Sequence, residues 1–296
     1  MKVFVTGATG FVGTAVVREL LAHGHEVLGL ARSDAGAAAL AATGAEVLRG
    51  ELDDLASLRR GAEGADGVIH TAFIHDFADY LRSAQADQLA IETLGEVLAG
   101  SGRPFVVTSG IAFLSSGRAA TEDEVAVVHE RLPRRSETTA LALAERDVRV
   151  SVVRLPPSVH GQGDHGFVPA LIGIAREKGV AAYPGEGNNR WASVHRFDAA
   201  QAFRLALEKA PAGARLNAVA DEGVPVREIA GAIGRSLHLP VVSVPANQAG
   251  EHFGWLGSLF SLDISASSEL TRQRFGWQPG QPSLLADLDE GHYFAH

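Results

Sequence analysis

The chain has 296 residues, 46% of them hydrophobic and 21% charged, with a net charge of −9 and no cysteine. That is enough apolar material for one large domain, or for a domain with a smaller lobe. Disulfides, thiolate catalysis and Cys-ligated zinc are excluded, and no nucleic-acid partner is expected, because the basic residues cluster no further than Arg59-Arg60 and Arg134-Arg135.

No window approaches the roughly 20 apolar residues that a membrane span needs. The start has a short apolar run broken by Gly7 and lacks the long apolar stretch of a secretory signal. The expected location is therefore the cytoplasm, with no membrane partner.

Val3-Phe4-Val5 reads as a short strand ending at Thr6-Gly7. Phe11, Val12, Ala15, Val16, Leu20 and Leu21 then recur at helical spacing, and Gly24 closes that helix. Residues 26–30 read as a second strand, 35–43 as an Ala-rich helix capped by Asp34, 46–49 as a third strand and 55–60 as a short helix. A fourth strand falls at 67–71, a long helical stretch at about 76–100 and a fifth strand at 105–108. Pro133 suits the first position of a helix continuing through 137–146, and a sixth strand follows at 150–154. Strand and helix alternate without a two-residue hairpin. That rhythm predicts an α/β fold, a doubly wound parallel sheet with helices on both faces.

After Arg154 the rhythm loosens, with Pro156-Pro157, Gly161, Gly163, Gly166, Pro184, Gly185 and Gly187 marking loops. Helices are expected at 168–178, 199–209 and 226–236, and short strands at 215–219 and 241–244. Residues 1–160 are expected to form the α/β core. Residues 161–296 should form a smaller lobe, interleaved with the end of the sheet and set over its C-terminal edge.

Residues 6–13 read Thr-Gly-Ala-Thr-Gly-Phe-Val-Gly, with glycines at 7, 10 and 13 between a strand and an amphipathic helix. Backbone that passes close to a diphosphate has no room for Cβ atoms, and a helix start offers free N–H groups and a positive dipole end. In that context the turn predicts dinucleotide binding, with Gly13 letting helix and strand pack closely. Gly7, Thr9, Gly10, Phe11, Val12 and Gly13 are its expected contacts.

The chain resembles the short-chain dehydrogenase/reductase superfamily in its extended or atypical form, within the NAD-dependent epimerase/dehydratase group. The resemblance is carried by TGATGFVG at 6–13, GELD at 50–53, VIHTA at 68–72, VVTSG at 106–110, RLPPSVHG at 154–161, VHRFD at 194–198 and FGWQP at 275–279. It implies a Rossmann core and a pyridine-nucleotide cofactor, and by analogy alone a homodimer.

An NAD site usually ends its second strand with an acid for the ribose 2′-OH. Here the strand runs into Ala31-Arg32-Ser33, which offers a planar donor fork and a hydroxyl to a 2′-phosphate. NADP is favoured, with NAD as the alternative. Glu51 and Leu52 resemble the acidic-apolar pair that flanks adenine in the family. Thr71, Ala72 and Phe73 should line the cofactor where the fourth strand ends, with Thr108 at the end of the fifth. Pro156, Ser158 and His160 match the family's loop beside the nicotinamide end.

The family's Tyr-x-x-x-Lys pair is absent: the tyrosines lie at 80, 183 and 293 and the lysines at 2, 178 and 209. In that pair the lysine lowers the tyrosine pKa for proton transfer. Glu137, 17 residues before Arg154, suits the glutamate that follows the family's lysine by four. Counting back puts Pro133 at the lysine position and His129 at the tyrosine position. The family's serine falls on Ser109 or on Gly110. Two routes stay open: His129 as proton donor with Ser109 beside it, or water or a substrate group, with the site only positioning the reactants. Arg135 and Glu137 could pair near the cofactor or simply decorate a helix start.

No histidine pair has the spacing of a zinc enzyme, so no metal is expected. His195 reads as structural and Asp198 as a helix N-cap. Phe73, His75, Phe113, His160, His252, Phe253 and Trp255 are candidates for a pocket that takes a small, partly apolar substrate. The leading expectation is an NADP(H)-dependent oxidoreductase acting on a carbonyl- or imine-type substrate with a non-standard proton donor. A non-catalytic NADP(H)-sensing protein is the alternative, and a nucleotide-sugar epimerase or dehydratase comes third.

Overall fold

A computed structural model describes residues 1–76, 79–114, 118–126 and 133–295. The first half contains β1 (Lys2–Thr6), α1 (Phe11–Ala22), β2 (Glu26–Ala31), α2 (Asp34–Ala41), β3 (Glu46–Arg49), α3 (Leu55–Glu63) and β4 (Gly67–His70). It continues with α4 (Tyr80–Leu98), β5 (Pro104–Gly110), α5 (Ser136–Ala142) and β6 (Arg149–Leu155). The second half runs β7 (Ser158–His160), α6 (Phe167–Lys178), β8 (Ala181–Pro184), β9 (Arg190–His195), α7 (Arg196–Lys209), β10 (Ala214–Asn217), β11 (Asp221–Pro225), α8 (Val226–Leu237) and β12 (Val241–Val244). Four short helices close the chain: α9 (Ala249–Phe253), α10 (Gly257–Phe260), α11 (Glu269–Phe275) and α12 (Leu284–Asp289).

Among the described residues, seven parallel strands form one sheet in the order β3-β2-β1-β4-β5-β6-β10. Its central strands read as near-continuous apolar runs, as strands covered on both faces must. Phe4 packs into one cluster with Leu58 of α3 and Ile91 and Leu94 of α4. Its neighbours Val3 and Val5 pack into the other, with Val16 and Leu20 of α1 and Phe203 and Leu207 of α7. The chain enters at β1, winds outward to β3, then crosses back to β4. The crevice at this reversal is where open α/β sheets bind ligands.

The second half contributes β10 to this sheet and α7 to its covering face, and builds its own small layers, β11-β9-β7 and β12-β8. A third apolar cluster there gathers Trp191, Phe253, Phe260, Val168 and Ile229.

Several elements depart from the sequence expectation. Ser33, not Asp34, caps α2, its Oγ accepting from Gly36 N at 3.1 Å. Helix α4 starts at Tyr80, where the Asp79 carboxylate caps it. Helix α5 starts at Ser136, so Pro133 lies outside it, and after Ala142 it tightens into a 3-10 turn ending at Arg146. His195 sits at the cap of α7, and Asp198 lies inside the helix with its carboxylate accepting from Gly280 N and Gln281 N at 2.9 and 3.1 Å. The expected cap is thus a clamp on the chain that follows Trp277. No helix among the described residues is long and apolar enough to cross a membrane.

Candidate functional site

The glycine turn between β1 and α1 has the geometry of a phosphate cradle. Gly7 has φ +68°, and a Cβ there would lie 2.7 Å from Ala72 N. A Cβ on Gly13 would lie 1.9 Å from Gly7 O, so this glycine lets α1 sit against the turn. Gly10 N donates to Gly7 O at 2.9 Å, and Gly10 heads α1 without a side-chain cap or an acid in the first turn. The helix start therefore keeps N–H groups and dipole for an incoming anion, which fits a dinucleotide diphosphate.

The ends of β2 and β3 bring Arg32, Ser33 and Arg49 together. Arg32 and Ser33 are exposed. Arg49 Nη2 donates to Arg32 O at 3.0 Å and meets Asp34 Oδ1 at 2.9 Å. The parallel pairing of Ala31 with Arg49 sets this neighbourhood, which spacing along the chain does not reveal. Thr9 is exposed beside Gly36 of α2, Glu51 is exposed, and Leu52 is buried at the edge of the α3–α4 cluster.

Beyond β4, Thr71 Oγ1 donates to Thr6 O at 2.8 Å and Ala72 N to Thr6 Oγ1 at 3.4 Å, tying this segment to the glycine turn. Beneath them runs a buried polar chain. Thr6 Oγ1 meets His70 Nδ1 at 2.8 Å, and His70 Nε2 faces Asp87 Oδ1 at 3.3 Å. Ser136 Oγ donates to Asp87 Oδ2 at 2.5 Å, and Arg134 Nε donates to Ser136 Oγ at 2.6 Å. Arg134 Nη2 reaches Thr108 O at 3.2 Å, and its guanidinium lies 4.1 Å from the centroid of the Phe73 ring. Burial alone would raise the Asp87 pKa, but Arg134, His70 and Ser136 together hold it below the ordinary carboxylate range.

Partial desolvation, then the charges of Arg134 and His165, hold His75 below the usual imidazole range, so it is neutral near pH 7. Burial raises the Tyr80 phenol, Arg134 opposing and Asp87 adding to it. Tyr80 and His75 both lie against Phe73, with ring centroids 5.9 and 5.3 Å away. At the start of α1, Phe11 meets His165 edge-on at 5.8 Å and the Arg196 guanidinium at 4.9 Å.

The other predicted site residues are less gathered. Ser109 is buried at the end of β5. His129 lies outside the described residues, and of Phe113 only the backbone turn is described. Pro156 and Ser158 are buried, and Ser158 Oγ has no hydrogen-bond partner among the described residues. His160 is fully buried and turned to Asp287, with Nδ1 2.8 Å from Oδ2. Phe253 packs on Phe260 and His252 and belongs to the apolar cluster of Trp191 and Val168, rather than to the groups at the ends of β4 and β5. Trp255 is half exposed against Phe167, the residue that opens α6 next to His165. Glu137 pairs with Arg154 rather than with Arg135, at 2.6 and 2.8 Å. Arg134, His70, Asp87 and Arg49 were not singled out from sequence. The basic pair just before α5 is the one local signal that pointed toward them.

Asp287, besides His160, lies near Glu290 and His292, whose ligand atoms fall within 4.8 Å of one another. Burial and the neighbouring His160 hold His195 below the usual imidazole range. An unfolded imidazole takes a proton near pH 6.5 and this one resists it, so the stability it contributes is complete above that pH and falls below it. The melting temperature should drop between pH 7.5 and pH 5, and less steeply in His195→Gln. Identical pH slopes in thermal melts of the two proteins would contradict the assignment.

Residues 3–107 match the NAD dependent epimerase/dehydratase family. An uncharacterised protein of Schizosaccharomyces pombe is 51% identical over 99% of this chain and 100% of its own length. A 2-alkyl-3-oxoalkanoate reductase of Stenotrophomonas maltophilia is 30% identical over 77% of this chain and 73% of that protein. The solved structure of DesIV, a dTDP-glucose 4,6-dehydratase from Streptomyces venezuelae with NAD and TYD bound, shares the fold with a TM-score of 0.79 at 21% identity, covering 99% of this chain and 96% of that one. With the glycine cradle, the sheet order and the relatives in agreement, the chain belongs to the NAD-dependent epimerase/dehydratase family of extended short-chain dehydrogenases/reductases.

Proposed function

We propose that the protein is an NADP(H)-preferring oxidoreductase that moves hydride between the dinucleotide and a small carbonyl- or imine-type substrate. One observation carries the cofactor preference: β2 ends in Arg32 and Ser33 rather than an acid, with Arg49 brought beside them. The nearest acid, Asp34, is already engaged by Arg49 at 2.9 Å. A 2′-phosphate would find the Arg32 guanidinium fork, the Ser33 hydroxyl and the positive charge of Arg49 there, Arg49 Nη2 being held by Arg32 O and Asp34. The S. maltophilia relative, a reductase of a 2-alkyl-3-oxoalkanoate by name, supports the carbonyl class.

When bound, the cofactor supplies the hydride. The chain's own part is to hold the diphosphate at the head of α1, to cover the reacting end with Phe73 and Phe11, and to provide polar groups at the ends of β4 and β5. With no Tyr-x-x-x-Lys pair, the proton takes another route; His129 stays the candidate donor and Ser109 its candidate partner by sequence alone, and water is the alternative. By family analogy the protein works as a homodimer, which light scattering after size exclusion tests.

Arg32→Leu should raise the NADPH Kd roughly 10- to 30-fold and leave NADH within about twofold, since one charge-assisted contact is lost. Equal losses for both cofactors would refute the preference. The missing tyrosine and lysine support a second reading, a dinucleotide sensor. A sensor would bind NADPH yet show no stereospecific hydride exchange with ketones, aldehydes or imines, whereas the oxidoreductase turns over at least one of them.

A further inference from the structure

We propose that Arg134 holds the nicotinamide half of the dinucleotide, a role that rests on the dinucleotide-binding reading above. In a doubly wound sheet the two halves of a dinucleotide lie on opposite sides of the switch point. Here that point lies between β1 and β4. Arg32, Ser33 and Arg49 mark the adenosine side, and the head of α1 takes the diphosphate. The remaining half extends over the ends of β4 and β5, where Arg134 stands.

Its guanidinium is fixed on three sides. Phe73 lies beneath the plane at 4.1 Å, Thr108 O takes Nη2 at 3.2 Å, and Ser136 Oγ takes Nε at 2.6 Å. Behind Ser136, Asp87 and His70 carry the support back to Thr6, the last residue before the glycine turn. The same chain that shapes the diphosphate cradle therefore sets the guanidinium.

Nη1 carries two further N–H donors, and their planar geometry suits vicinal ribose hydroxyls or a carboxamide oxygen. Asp87, fully buried and 3.5 Å from Nε, offsets the charge. The group is thus suited to neutral acceptors rather than to a second phosphate. It places a fixed cation one residue from Pro133, the position that matches the family's lysine.

Binding of whole and half cofactors to the full chain tests this. In Arg134→Gln the NADPH Kd, read by fluorescence titration, should rise roughly 30-fold, while 2′,5′-ADP affinity, read by calorimetry, stays within about twofold. In Arg134→Lys, which keeps the charge and loses the fork, the NADPH loss should be smaller, about fivefold. Unchanged NADPH affinity overturns the proposal. So does a parallel fall in 2′,5′-ADP affinity, because Arg134 would then act only through the fold. If the Gln variant does not fold by circular dichroism, the Lys variant decides by the same two ratios. Wild-type protein that binds neither compound defeats the dinucleotide reading itself, and this assignment with it.

Discussion

Gly13→Ala should cost about 3 kcal/mol of stability or more and remove dinucleotide binding. The added Cβ would lie 1.9 Å from Gly7 O and 3.1 Å from Ala8 Cα, both backbone atoms. No side chain can rotate away to relieve that contact, so α1 must slide off the turn or the turn must open. Gly10→Ala is the matched control, its Cβ meeting only Gly7 O at 3.2 Å. It should keep stability within about 1 kcal/mol and still weaken NADPH binding, because the new methyl meets nothing but Gly7 O and would occupy open space at the head of α1. Urea unfolding and NADPH titration of the pair separate the two effects. Wild-type stability in Gly13→Ala would mean that the helix is not seated on the turn. Undiminished NADPH affinity in a Gly10→Val protein would remove the cradle.

Arg154→Met should destabilise the protein by about 3–5 kcal/mol, the usual result of stripping one partner from a buried ion pair. Arg154 is fully buried and Glu137 nearly so. Nε and Nη2 donate to the two Glu137 oxygens at 2.8 and 2.6 Å, and Arg215 Nε reaches the same carboxylate at 3.1 Å. Arg154 also donates to the carbonyls of Thr121, Glu122 and Glu124, fastening the segment between β5 and α5 to β6. The double variant Arg154→Met/Glu137→Met removes a buried carboxylate left with Arg215 alone and should regain part of the loss. It cannot regain all of it, because those carbonyls stay without their donor. A double-mutant cycle by chemical denaturation measures the coupling. A cost below about 1 kcal/mol for Arg154→Met would show that the pair is not a structural anchor.

Acid provides a further check on the buried chain beneath Phe73. Asp87 is held below its ordinary pKa, so the stability it contributes is present above about pH 4 and is lost as pH falls through the lower, folded value. Asp87→Asn should flatten the acid limb of the stability curve. An unchanged limb would contradict the ion-pair assignment.

The first half of the fold was legible because its signals are local. A parallel strand covered on both faces must be apolar throughout, and each helix must show one apolar stripe. Residues 2–6, 26–31, 67–70 and 104–110 meet the first condition closely enough to be read, and the edge strand at 46–49 shows it only in Val47 and Leu48. β7, β8, β9 and β11 are short and lie among glycines and prolines, with partners 20 or more residues away, so no period marks them. The helix starts went astray for a related reason. Asp198 and Pro133 are good first-turn residues in isolation, but Asp198 is claimed by the amides of Gly280 and Gln281, and the helix after Pro133 begins only at Ser136.

By itself the sequence determined a dinucleotide-type turn, a parallel α/β core, an arginine rather than an acid after β2, and the lack of a Tyr-x-x-x-Lys pair. Each of these is a property of neighbours along the chain, where steric room, periodicity and charge are written residue by residue. Only the tertiary structure decided that Arg49 joins Arg32, that Glu137 belongs to Arg154, and that Thr6, His70, Asp87, Ser136 and Arg134 form one buried chain. Those groupings arise from strand register and helix packing between residues as many as 64 positions apart. Which polar groups must satisfy one another once water is excluded is fixed by the fold and not by spacing along the chain.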